Sequence, residues 1–264
     1  MPFPNLPEKR DSEPIITPER HAEYRREEAD SEDQALPDAV VICYSRKLMD
    51  YFIETYDGRE VDLYYGTLYV FEDSGYAVGV LGHFGIGAPT TAMLMDELIA
   101  DGVESFLSIG FAGCLQESVE MGEFIVCENA IRDEGTSHHY VESEKYVRAS
   151  ESLVADVTRT LDERDERFHV GSSWTTDAIY QETVREVETY ANEGVLTVEM
   201  EAAAVFAVAA HRGADAAAMF VISDYLGLSD WEPKFHLTTE DMRRLGDTAK
   251  EILELRVRES AGIE

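Results

Sequence analysis

Three observations predict an α/β fold, a single domain with a central mixed β-sheet flanked by helices. Apolar runs of strand length alternate along the chain with amphipathic or wholly apolar runs of helix length. Residues 76–109 read as a complete strand–loop–helix–strand unit. With 264 residues, 44% of them hydrophobic and 10% aromatic, the chain can bury one substantial core.

The elements follow in order. Residues 1–38 are polar, charged and punctuated by Pro2, Pro4, Pro7, Pro14, Pro18 and Pro37, and are read as an extension with a short helix over 19–28, packing on a neighbour. The domain proper is expected over 39–264. Val40 to Tyr44 form a buried strand, and a helix over 47–55 ends before Gly58. Residues 64–70 and 76–81 form a hairpin about Glu72-Asp73-Ser74-Gly75. A strand ends at Gly82, a glycine-rich loop follows, and a helix over 90–100 carries Met93, Leu94, Leu98 and Ile99 on one face, with Gly102 at its C-terminal cap. Strands are expected over 106–109, 123–127 and 219–222. An Ala-rich helix over 199–211 is closed by Gly213, and a last helix starts with capping-box spacing at Thr238–Asp241 and runs to about Arg258.

The charge balance is lopsided: 54 acidic against 22 basic residues, a net charge of −32. Such a surface repels nucleic-acid phosphates and anionic membranes. Scarce Lys (5 against 17 Arg) within an acidic but otherwise ordinary globular composition resembles proteins of salt-accumulating halophiles. No apolar run approaches the ~20 residues of a membrane helix, and the N-terminus lacks a signal-peptide core, so a cytoplasmic location is expected. Cys43, Cys114 and Cys127 are widely spaced in apolar surroundings, with no CxxC and no His/Cys cluster. They read as buried free thiols, with no metal site.

Four segments carry residues suited to chemistry. Gly82–Pro89 follows a strand and opens a helix, which fits either an anion cradle built on Gly85 and Gly87 or a tight structural turn. Ser108-Ile109-Gly110-Phe111-Ala112-Gly113 ends a buried strand, with glycines that permit close approach. Glu199-Met200-Glu201 places two carboxylates beside an apolar helix, where burial demands a partner. A cis-diol is one such partner, since a carboxylate accepts two hydroxyl protons; the helix N-terminus is another. Val221-Ile222-Ser223-Asp224 ends an apolar strand in an acid, which fits a proton donor of raised pKa or a turn cap.

Together and in this order, these segments resemble the nucleoside phosphorylase/nucleosidase superfamily over roughly residues 39–255. The resemblance implies that Glu201 binds the ribose 2′- and 3′-hydroxyls, with Met200 and Glu199 beside the sugar. It implies that Asp224, with Ser223, hydrogen-bonds or protonates purine N7 as the base leaves. Arg132–Tyr140 is similar to a loop of uridine phosphorylases, and Trp174–Tyr180 to the base-site segment of both groups. Phe111, Tyr180 and Gln181 are therefore expected at the base, with Glu182 a weaker match.

The phosphate end departs from the pattern: Cys43-Tyr44-Ser45-Arg46-Lys47 replaces the usual Gly-Asp-Pro-x-Arg loop, Ser108 an arginine, and Phe111 a hydroxyl residue. Gly85, Gly87, Arg46, Lys47, Ser108 and Gly110 are expected to hold phosphate. The positive sign of Arg46 and Lys47 favours phosphorolysis of a purine-leaning ribonucleoside to base and ribose 1-phosphate. Uridine specificity, hydrolysis by water and a non-catalytic nucleoside-binding role are the alternatives. The resemblance further implies inorganic phosphate as co-substrate, no metal or organic cofactor, and a homo-oligomer, hexameric or dimer-based. A histidine then closes the ribose 5′ end, with His21, His83, His138 and His139 as candidates.

Overall fold

Strand formation begins where the polar extension gives way to apolar sequence. The computed structural model describes residues 4–29, 35–63, 65–226 and 231–262. Before the sheet, α1 (Pro18–Ala29) packs on α3 (Ala88–Ala100) of its own chain through Ala22 and His21. β1 (Ala39–Cys43) is buried at every position because it lies between parallel partners β4 (Val78–Gly82) and β5 (Ser105–Cys114).

α2 (Arg46–Thr55) starts one residue earlier than expected because Ser45 caps it, its hydroxyl accepting the Leu48 N–H at 3.3 Å. The hairpin is present, but its strands are β3 (Thr67–Phe71) and β4, extended outward by β2 (Gly58–Asp62). The expected strand start at Tyr64 lies outside the described residues.

The second half supplies β6 (Phe124–Asp133), β7 (Tyr146–Arg148), α4 (Glu151–Glu163), β8 (Phe168–Thr176), α5 (Val184–Asn192), β9 (Thr197–Glu199), α6 (Ala202–Arg212), β10 (Asp215–Leu226), β11 (Trp231–Pro233) and α7 (Thr239–Ser260). The helix expected over 199–211 thus begins three residues later: Glu199 ends a strand, and Gly213 closes the helix at φ 78° as anticipated. α7 forms without the expected capping box, since the Thr238 hydroxyl donates to the Phe235 carbonyl instead.

β5, β10, β6, β8 and β9 close into a ring, from which β1, β4, β3 and β2 continue as an open wing. Three of its pairs are parallel and two antiparallel, so the sheet is mixed. α2, α4 and α7 pack together as one layer and α3 and α6 as another, with β5 and β10 between. Cys43, Cys114 and Cys127 are buried free thiols, and burial pushes the Cys43 thiol up to about 12.

Candidate active site

One edge of β5 changes partner, and the site forms at that change. Residues Ser105 to Ile109 pair with β1, whereas Gly113 and Cys114 pair with β9. Between them Gly110-Phe111-Ala112 lies where β1 has ended and β9 has not begun. Ligands collect at such points, where neighbouring strands diverge beyond their carboxyl ends. The other edge of β5 runs along β10, so Asp224 and Val198 flank Gly113 from opposite sides. Two strand spacings, about 10 Å, therefore separate the backbones carrying the two acidic segments.

Glu199 and Glu201 divide their labour. The Glu199 carboxylate is buried and accepts four hydrogen bonds: Thr175 Oγ1 at 2.5 Å, Ser173 Oγ at 3.3 Å, and the backbone N–H groups of Glu201 and Ala202 at 2.8 and 2.7 Å. It anchors the first turn of α6 to β8, and Thr175 accepts the Ala203 N–H as well. Burial raises its pKa, against the pull of these donors. With its oxygens so engaged, Glu199 is a support rather than the ribose contact expected of it.

Glu201 has one partner among these bonds, the Gly87 N–H at 2.5 Å. Only 7% exposed, it is pushed up to about 8 by burial and then by the charge of Glu199. The same contact gives the Gly87 N–H to the Glu201 carboxylate. The loop reaches this position with positive φ at His83, Gly85 and Gly87 (59°, 97° and 108°). Half-buried Met200 sits in the bend between β9 and α6.

At the other side of β5, a bulge in β10 leaves Ser223 unpaired between Ile222 and Asp224. Ser223 and Asp224 are consequently both buried, and the acid is re-aimed. Asp224 Oδ1 accepts from Ser223 Oγ at 2.5 Å and Oδ2 from Trp231 Nε1 at 2.8 Å. Gly113 makes room: a Cβ there would lie 2.3 Å from Leu226 Cδ1 and 3.2 Å from Asp224 Oδ2.

Trp231 was not foreseen, because its strand β11 reads as polar loop. Of the residues expected at the base, Tyr180 is 93% exposed, and the Gln181 amide donates to the Tyr180 carbonyl. Their neighbour Glu182 turns inward, and burial, then the charge of Asp224, push it up to about 7. Phe111, at the partner change of β5, stands edge-on to Phe235 at 5.9 Å.

Phe111 and Phe235 also border a cavity of about 480 Å³ shared with Arg46, Lys47, Tyr51 and Arg243. Arg46 and Lys47 occupy the exposed first turn of α2. Ser108 is buried and hydrogen-bonded to the Tyr44 hydroxyl at 2.9 Å, and the Tyr44 ring covers Gly110.

The four histidines are spread out. His21 bonds Glu97 at 2.9 Å on α3, a helix length from Gly87, and His138 and His139 bond Arg132 O and Lys9 in the 132–140 loop. His83, bonded to Asp50 at 3.0 Å, alone among them belongs to the glycine loop. Within the 132–140 loop, Arg132 is buried and spends its guanidinium on Ser137 and on the carbonyls of Val141 and Glu142, so it acts as scaffolding.

The arrangement therefore gathers the buried carboxylate of Glu201, the buried acid Asp224 on the far side of β5, and the Tyr44, Ser108, Arg46 and Lys47 donors near the end of β1.

The chain belongs to the phosphorylase superfamily, whose family model matches residues 38–257. It is 35% identical over 142 residues to a guanosine phosphorylase of Halorubrum lacusprofundi, a match covering 54% of this chain and 59% of that protein. A DeoD-type purine nucleoside phosphorylase of Colwellia psychrerythraea is 27% identical over 225 residues, covering 84% of this chain and 85% of that one. Uridine phosphorylase of Vibrio fischeri shares the fold, with a TM-score of 0.72 at 24% identity, covering 83% of this chain and 91% of that chain. Among the described residues, no helix is long and apolar enough to cross a membrane.

Proposed function

We propose that this protein cleaves the N-glycosidic bond of purine ribonucleosides by phosphorolysis, releasing the free base and ribose 1-phosphate. The observation that carries the reading is the placement of two buried acids on either side of Gly113, Asp224 on β10 and Glu201 at the start of α6 just beyond β9, with the glycine loop closing on Glu201.

Glu201 takes the 2′- and 3′-hydroxyls, exchanging the Gly87 N–H for ligand protons, and Met200 lies against the sugar. Phosphate enters from the Gly85 side, guided by Arg46 and Lys47, and attacks C1′ of an oxocarbenium-like sugar. The C1′–N pair leaves with the base, which receives a proton at the Asp224 end. Positioning and charge stabilisation do this work without a covalent enzyme intermediate. The purine preference rests on Asp224 and its two donors, and agrees with the names of the guanosine and purine relatives. The acidic surface fits work at high salt in a cytoplasm, as a homo-oligomer, with no cofactor beyond phosphate.

A second reading, hydrolysis, is favoured by one observation: the buried polar groups near Ser108 are neutral hydroxyls. Turnover of inosine, guanosine, adenosine and uridine with and without phosphate, in molar KCl, separates the two. Phosphate-dependent release of purine bases is expected. Equal rates without phosphate would establish hydrolysis, and no turnover of any nucleoside would overturn both.

A further inference from the structure

The phenol of Tyr44 is the feature of the site that the reaction above leaves unused. Its residue ends the run of β1, and its ring lies against Gly110, where a Cβ would come within 3.3 Å. The Phe84 ring meets it edge-on at 5.6 Å and fixes its orientation. The hydroxyl bonds Ser108 Oγ at 2.9 Å, and the Thr91 hydroxyl in the first turns of α3 faces the same phenol. The Tyr44 and Ser108 hydroxyls thus meet at the β5 partner change, on the side of the glycine loop, while the Thr91 hydroxyl donates to the Gly87 carbonyl at 3.1 Å.

Counting protons gives this cluster a direction. The Tyr44–Ser108 pair holds two hydroxyl protons and consumes one in its own hydrogen bond, so one remains for a third group. Burial and the neighbouring Glu201 carboxylate raise the phenol pKa well above its ordinary value, so Tyr44 stays a donor at every working pH. An oxyanion seated here is bound by uncharged donors, whose hydrogen bonds salt does not screen as it screens exposed cations.

We propose that Tyr44 is a binding residue for the attacking phosphate, donating its hydroxyl while Ser108 donates to the phenol oxygen, a neutral contact beside which Arg46 serves only at the rim. This rests on the phosphorolytic reading. In the step it serves, a phosphate oxygen bonds to C1′ and the C1′–N bond breaks. The electron pair goes to the base nitrogen, and the proton released by hydrogen phosphate balances the one the base takes up.

The test is a titration of inorganic phosphate at saturating nucleoside, and of nucleoside at saturating phosphate, for wild type, Tyr44→Phe and Ser108→Ala. Tyr44→Phe should raise the phosphate KM by about tenfold or more, the scale of one hydrogen bond to a charged group, with the nucleoside KM little changed. The rise should persist in molar KCl. Ser108→Ala, a smaller change that keeps the phenol, should raise the phosphate KM by only a few-fold. An unchanged phosphate KM in Tyr44→Phe, or an equal rise in both KM values, overturns the proposal while leaving phosphorolysis intact. Wild-type turnover that ignores phosphate removes the phosphorolytic reading and this proposal together.

Discussion

The two ends of the site are built from opposite materials. At the end proposed for sugar and base, buried carboxylates dominate: Glu199 held by four donors, Glu201 by the Gly87 N–H, and Asp224 by Ser223 and Trp231. At the end proposed for the nucleophile the charges are cationic and exposed on α2, and the buried groups are hydroxyls. A diol must meet an acceptor pair, and only a carboxylate supplies one without also donating. An oxyanion accepts donors of many kinds, so that end tolerates replacement of its side chains.

The largest effect should come from breaking the sugar end. Glu201→Gln is expected to lower kcat/KM by about 10²–10³-fold, measured by steady-state kinetics. Stability should move the other way. Burial and Glu199 raise the Glu201 pKa to about 8, above its ordinary 4.5, so the folded state holds this proton more tightly than the unfolded chain. That contribution is present below pH 4.5 and is lost as pH rises towards 8. The glutamine variant escapes the loss, and its melting temperature should pull ahead of wild type as pH climbs through that window.

A smaller effect is expected at the base. Asp224→Asn should cost about 100-fold with inosine or guanosine and clearly less with uridine, whose ring has no N7. Equal losses on both classes would detach Asp224 from the purine.

The smallest effect concerns Glu182. As pH rises through about 7, Glu182 gains negative charge beside the base end of the proposed site, where it favours a departing base that takes up a proton. Glu182→Gln should leave purine kcat/KM unchanged at pH 6 and lower it a few-fold at pH 8, flattening the pH profile.

The contrast also explains what was legible in the sequence. Glu199, Glu201 and Asp224 stand out because acids beside apolar runs are costly and need a reason. Their separate duties were not legible, since Thr175 and Ser173, which claim Glu199, lie on β8, a strand too rich in Ser, Thr and Gly to read as buried. The start of α6 was misplaced for the same reason: the Glu199 carboxylate, not its backbone, joins the helix. Tyr180 and Gln181 were favoured over Glu182 because sequence does not show which side of a short turn faces inward. Tyr44 read as the last residue of a strand, and only the packing of Gly110 and Ser108 against it gives it a role.

The most direct test of the whole account is the stoichiometry of sugar product in a reaction of inosine or guanosine with inorganic phosphate. One ribose 1-phosphate for each base released is the predicted result. Free ribose in its place would contradict the account, because the hydroxyl pocket at Tyr44 would then be holding water instead of phosphate.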